Sequence, residues 1–288
     1  MSTISVMVRG LCAVLAVVAT ASGGTAQMLS SDPDALPARI ELLQGWRETG
    51  ESGARHIFGL RVSMDEGWKT YWRNPGQSGF PPHFEWTGLE NSGQPTVHYP
   101  RPGLLTDQLS GIRILGYEKT VVLPIEVALD DVSESAVVQG VLQYGVCREI
   151  CIPARYDIHA RLPANATSPH AGIVSALADM PFRIHAADSA VTFTCSFTPL
   201  DGDSFSVAVA ISGAINGQEE FVAVFDYPDP LVGFSDADAV IGPDGTLQAW
   251  SEMRFYGGRV PAVDRSRLQI AVVTPESTTE YSGCSSAG

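Results

Sequence analysis

The chain has 288 residues, 44% of them hydrophobic, and a formal net charge of −14 at pH 7. That acidity excludes the basic footprint a nucleic-acid binder needs, and it disfavours docking on an anionic membrane surface. The length suits one large or two ordinary domains with an ample core.

At the amino terminus, Arg9 precedes an apolar run over residues 11–19 and then a series of small residues. This order predicts a signal peptide over residues 1–26, with Ala19 and Ala26 at candidate cleavage sites. The run is shorter than the roughly 20 residues that cross a bilayer. Cys12 lies inside it and leaves with it, so four cysteines remain: Cys147, Cys151, Cys195 and Cys284. An exported chain is one in which disulfides persist. Residues 27–38, rich in Ser, Asp and Pro, read as a disordered lead-in.

From 39 to 165 the pattern is short strands and turns. Phe58, Leu60, Val62 and Met64 alternate with polar or small residues, as do Ile125, Val127 and Leu129. Further runs cover 138–146 and 156–162. Period-two alternation gives each strand one buried and one wet face. Residues 166–189 break the pattern: Ser168 is a candidate cap, and Ile173, Val174, Leu177 and Met180 recur at helical spacing before Pro181. Strands resume over 190–288, with Phe205, Val207, Val209 and Ile211 alternating. The expected fold is all-β: two tandem immunoglobulin-like β-sandwiches joined by a short helical linker.

Cys147 and Cys151 flank three residues between two of these strands. Parity sets Cys147 opposite in sense to Leu142, Tyr144 and Val146, on the polar side with Gln143. Cys151 shares the parity of Arg155, Asp157, His159 and Arg161, although Pro153 puts that register in question. Directly opposed residues of a hairpin approach to about 4.5 Å, which a disulfide accepts. The pair is therefore expected at the solvent rim of a sheet. So short a closed loop adds little stability, which fits a bridge that opens and closes. Three readings follow: a redox pair, a fixed staple in a non-catalytic interaction module, or a copper(I) site on Cys147 and Cys151 with His159 as the nearest third ligand. Arg148 lies between the cysteines and favours a thiolate, while Glu149 opposes it. No phosphate-binding glycine motif, zinc-protease motif or nucleophile elbow is present, and no cofactor is implied.

The stretch from Gly67-Trp68 through Tyr71-Trp72 and Asn74-Pro75-Gly76 to Gly79-Phe80-Pro81 resembles the amino-terminal periplasmic domain of the DsbD family of thiol:disulfide interchange proteins. Tyr99-Pro100-Arg101-Pro102, Gly116-Tyr117-Glu118, Val121-Val122-Leu123-Pro124 and Tyr144-Gly145-Val146-Cys147 with Cys151-Ile152-Pro153 extend the likeness over roughly residues 40–162. The resemblance implies a periplasmic electron relay of the protein-disulfide reductase type on an immunoglobulin-like scaffold. It implies Cys151 as the residue that joins the client and Cys147 as the one that resolves. The implied partners are oxidised thioredoxin-like or disulfide isomerase-like proteins on one side and a separate membrane-embedded electron donor on the other. The three-residue spacing is similar to the ScsB branch, linked to copper-stress tolerance; better-known members have five. The family also carries a cap over the pair. Phe80 is the candidate shielding residue, with Tyr71 and Trp72 beside it, although core packing is the expected place for the tryptophans. Cys195 and Cys284 are expected to form a structural disulfide that ties down the carboxy terminus; two separate thiols, or an intermolecular link through Cys284, are the alternatives.

Overall fold

The computed structural model describes residues 36–50, 53–107, 110–188, 191–213, 220–257 and 263–286. The expected signal peptide, and the lead-in up to residue 35, lie outside the described residues.

Two pairs of sheets account for the fold. In the first pair, a four-stranded sheet has the order β1 (Ala38–Gly50), β2 (Gly53–Met64), β8 (Thr120–Ala128) and β5 (Thr96–Val97). Its partner runs β10 (Cys151–Leu162), β9 (Ala136–Cys147), β3 (Lys69–Gly76), β7 (Arg113–Glu118) and β6 (Gly103–Thr106), with β4 (His83–Glu90) also on β9. All pairings here are antiparallel. The alternation read from the sequence is the cause of the layering. Phe58, Leu60, Val62, Ile125 and Val127 from one sheet meet Trp72, Leu115, Leu142, Tyr144, Val146 and Ile158 from the other in one apolar core. Burying such a side chain stabilises by roughly 1.5–3 kcal/mol, so the two facing rows hold the sheets together.

A helix, α1 (Ala171–Ala178), follows the first pair. The cap is His170 rather than Ser168: its Nδ1 accepts the Gly172 N–H at 3.1 Å. Ile173 is fully buried and packs with Leu43, Trp46 and Ile57, so the helix is held against the first sheet pair.

The second pair consists of a sheet ordered β11 (Phe182–His185), β19 (Thr278–Ser282), β18 (Gln269–Val273) and β14 (Val222–Asp226), and a sheet ordered β15 (Val232–Phe234), β17 (Leu247–Phe255), β13 (Ser204–Ser212), β12 (Thr192–Pro199) and β20 (Ser285–Ser286), with β16 (Asp238–Ile241) also on β17. Strand β11 falls in the stretch expected as linker, yet it pairs in parallel with β19. Val207, Val209 and Ile211 line this second core as their alternation predicts. Val224, Ala271 and Val273 instead join the core of the first pair. The fold as a whole is all-β and immunoglobulin-like. No helix among the described residues is long and apolar enough to cross a membrane.

Candidate functional site

Strand β9 ends at Cys147 and β10 begins at Cys151, directly opposite it. The register then runs unbroken to Ala136 opposite Leu162, with Pro153 facing Gly145. Pro153 is tolerated because β10 is the edge strand of its sheet, where a missing N–H costs no ladder bond. The cysteine Cα atoms are 4.1 Å apart and the sulfurs are bonded. Arg148 N–H donates to Ile150 O at 3.1 Å just beyond them. The cysteines therefore occupy the close, non-hydrogen-bonded position of the hairpin.

The two sulfurs differ in surroundings. Cys151 is exposed, whereas Cys147 is only 1% exposed. Parity puts Cys147 on the face away from the main core, as expected. The expectation that this face is wet is corrected, because Tyr71 and Ile114, backed by Leu105 and Ile112, close over Cys147. An apolar satellite cluster thus covers one sulfur and leaves the other open.

Strand β3 supplies the polar partners. Lys69 and Tyr71 share the face that carries the cysteines, while Trp72 points into the main core. The Tyr71 oxygen lies 3.4 Å from Cys151 Sγ. Burial, and secondarily the charge of Asp107, raises the Tyr71 pKa, so the phenol keeps its proton and is a donor to that sulfur. Lys69 is the Cα partner of Cys147 across β3 and β9. It is 5% exposed, and its Nζ lies 3.4 Å from Asp107 Oδ2. Asp107 is held down at about 2, chiefly by the Ser110 N–H and hydroxyl and also by Lys69. An ion pair with a buried cation and a half-buried carboxylate therefore stands beside the buried cysteine.

The connection from β3 to β4 crosses this region. Gly145 N–H donates to Phe80 O at 3.2 Å. A Cβ on Gly145 would sit 2.7 Å from Phe80 Cβ, and one on Gly79 would sit 2.5 Å from the Tyr71 ring. Gly79 has φ +143°, a backbone region that favours glycine. The loop over 77–82 thus rests on Tyr71 and on Gly145, two residues before Cys147. Phe80 itself is 41% exposed.

Of the residues singled out in the sequence, Cys147, Cys151, Tyr71 and Phe80 come together here. Trp72 does not: it is fully buried in the core of the first sheet pair. His159 does not join the pair either. It sits eight positions along β10, opposite Gln139, which at about 3.3 Å per residue is roughly 26 Å away, far beyond a shared metal ion. Among the described residues no cluster of three or more His, Cys, Asp or Glu forms a metal site. The Arg148 guanidinium lies over the Trp68 ring, 5.3 Å from its centroid. Three contributors went unnoticed in the sequence. Lys69 shares Tyr71's parity, which was a usable signal; Asp107 had none. Ile150, 68% exposed beside Cys151, was readable as an apolar residue stranded in a tight loop. Cys195 and Cys284 are bonded to each other, with Cα atoms 5.7 Å apart.

Residues 36–163 match the family model described as thiol:disulfide interchange protein DsbD, N-terminal. Among solved structures, the N-terminal periplasmic domain of ScsB from Proteus mirabilis is similar at 22% identity and a TM-score of 0.59, covering 89% of this chain and 96% of that one. A marsupial T cell receptor aligns at 9% identity over 84% of this chain and 93% of its own, with a TM-score of 0.19, which bears no argument. No curated protein matches the chain.

Proposed function

From the match of residues 36–163 to the family model of the DsbD amino-terminal domain, we propose that the chain is a periplasmic thiol:disulfide exchange relay acting through Cys147 and Cys151. The observation that carries this reading is the asymmetry of the pair: Cys151 is exposed and Cys147 is 1% exposed. One sulfur is open to a partner, and the other is kept in reserve.

In the reduced pair, the Cys151 thiolate attacks a disulfide sulfur of the client. A Cys151–client mixed disulfide forms and the client's other sulfur leaves as a thiolate. Cys147, now a thiolate, attacks the Cys151 sulfur. The 147–151 bond re-forms and the client leaves as a dithiol. Two electrons and two protons pass from the pair to the client, and a membrane-embedded donor dithiol restores them. Tyr71 donates a hydrogen bond to the Cys151 sulfur and stabilises its charged form. Lys69 places a cation beside the strand position of Cys147, where burial alone would disfavour a thiolate. The clients are thioredoxin-like or disulfide isomerase-like proteins, which dock on the apolar surface offered by Ile150 and Phe80. The loop over 77–82 serves as the cap, and the chain is exported by residues 1–26.

Trapping tests the order of attack. Reduced Cys147→Ala protein, mixed with an oxidised thioredoxin-like protein, is expected to accumulate a mixed disulfide through Cys151. The Cys151→Ala protein is expected to trap none. Equal trapping by both variants would overturn the assignment.

A further inference from the structure

Strand β3 leaves its own sheet directly after the tyrosine that touches the disulfide. Tyr71 pairs with Gly116, but the next pairing is Gly76 with Ile114, so the segment 72–75 bulges out of the ladder. Its polar groups are taken up by the second sheet pair. Arg73 is ion-paired with Asp226 and, at 2.5 Å, with Glu280. Glu280 also holds Arg183 at 3.2 Å. Asn74 Nδ2 donates to Phe225 O at 2.8 Å, while its Oδ1 accepts the Gly76 N–H at 3.2 Å. Burial works against the Arg73 charge, yet the two carboxylates hold its pKa above the ordinary value. Arg113, at the end of β7, pairs with Glu220.

We propose that the second sheet pair is a scaffold that fixes this bulge, and that Arg73 and Asn74 are positioning residues that set Tyr71 against Cys151. The inference rests on the redox reading of the Cys147/Cys151 pair. The contacts form one continuous path. Asp226, Glu280 and Phe225 O hold Arg73 and Asn74. These fix both the end of the β3 ladder at Tyr71 and the start of the loop at Gln77. The loop returns over the Tyr71 ring at Gly79, and the Tyr71 hydroxyl meets Cys151 Sγ. Where β7 offers the bulge no ladder, the second sheet pair holds the Arg73 and Asn74 side chains instead. A cleft of about 960 Å³ beside the bulge is lined by Arg73, Gln77, Pro81, Arg113, Glu220 and Phe234. Asn74 also lines it, so the two anchors and the first residue of the loop border the same cleft.

The test reads the pH profile of Cys151 alkylation by iodoacetamide in the reduced full-length chain, followed by mass spectrometry, with thermal unfolding in parallel. The double variant Asp226→Asn/Glu280→Gln touches no residue of the site. Its alkylation midpoint is expected to move to higher pH, in the same direction as Tyr71→Phe, with about tenfold slower alkylation below the midpoint. Combined with Tyr71→Phe it is expected to add little, because both remove one hydrogen bond. Asn74→Ala provides a milder variant with the same expected direction. A lower Tm with an unmoved profile in both variants would overturn the inference and leave the redox reading standing. So would an unmoved profile in Tyr71→Phe while the wild-type pair still exchanges. Failure of the wild-type dithiol to exchange with any disulfide would defeat the redox reading itself, and this inference with it.

Discussion

The Tyr71 hydroxyl lies 3.4 Å from the sulfur of Cys151, the exposed member of a disulfide whose other half is enclosed by the same tyrosine ring. One side chain therefore covers Cys147 and addresses Cys151. Replacing Tyr71 by Phe keeps the cover and removes the donor. A hydrogen bond to a charged group contributes roughly 1.5–3 kcal/mol. The reduced Tyr71→Phe protein is expected to alkylate at Cys151 at least about tenfold more slowly at neutral pH, with an unchanged fold by circular dichroism. An unaltered rate would remove Tyr71 from the chemistry.

Gly79 makes the loop's approach to Tyr71 possible. Its φ of +143° and the 2.5 Å that would separate an added Cβ from the Tyr71 ring both oppose any side chain. Gly79→Ala is expected to cost more than about 1 kcal/mol, or roughly 2–4 °C in Tm for each kcal/mol in a chain of this size. The variant should also change Cys151 alkylation, since the ring or the loop must move. A Tm within about a degree of wild type would mean the loop does not rest there.

The two disulfides are expected to behave oppositely. The chain-entropy account gives about 4–5 kcal/mol for closing a loop as long as that between Cys195 and Cys284, and roughly 2 kcal/mol for the four-residue separation of Cys147 and Cys151. Thermal unfolding of Cys195→Ala/Cys284→Ala should show a much larger loss of stability than that of Cys147→Ala/Cys151→Ala. Disulfide exchange should survive the first substitution and vanish with the second.

His56 predicts a pH dependence. It is fully buried on β2, and neither ring nitrogen has a hydrogen-bond partner among the described residues. Burial first, and the charge of Arg47 second, lower its pKa to about 4. The unfolded chain binds this proton at its ordinary pKa of about 6.5, before the folded chain does. Stability is therefore full above about pH 6.5 and is lost as pH falls toward 4, by up to about 3 kcal/mol. Urea unfolding at pH 7 and pH 4.5 should show the loss, and His56→Leu should abolish this part of it.

Much of the arrangement was legible in the chain. Alternation at Phe58, Leu60 and Val62 and at Val207, Val209 and Ile211 gave strands and their inward faces. Parity put Cys147 and Cys151 on one face and a hairpin between their strands set them opposite each other, and the register around Pro153 holds because the strand is an edge. What parity lacks is the identity of the neighbouring strands. Leu105, Ile112 and Ile114 cover Cys147 only because β7 pairs with β3 and carries β6 on its far side, a long-range arrangement with no local signal. The same holds for Asp107 against Lys69 and for Asp226 and Glu280 against Arg73. Trp72 was readable as core from its size, and it is core. His159 looked close to the cysteines in sequence because a strand's extension is easily overlooked; eight residues of β10 carry it out of reach.

The central claim is that the 147–151 bond is made to exchange. Its reduction potential, measured by equilibrating the full chain in glutathione or dithiothreitol buffers and counting free Cys147 and Cys151 by alkylation, addresses this most directly. The pair is expected to have a midpoint above about −300 mV, within reach of a thiol relay. A pair that stays oxidised well below about −300 mV would be a structural bridge, and the relay would be contradicted.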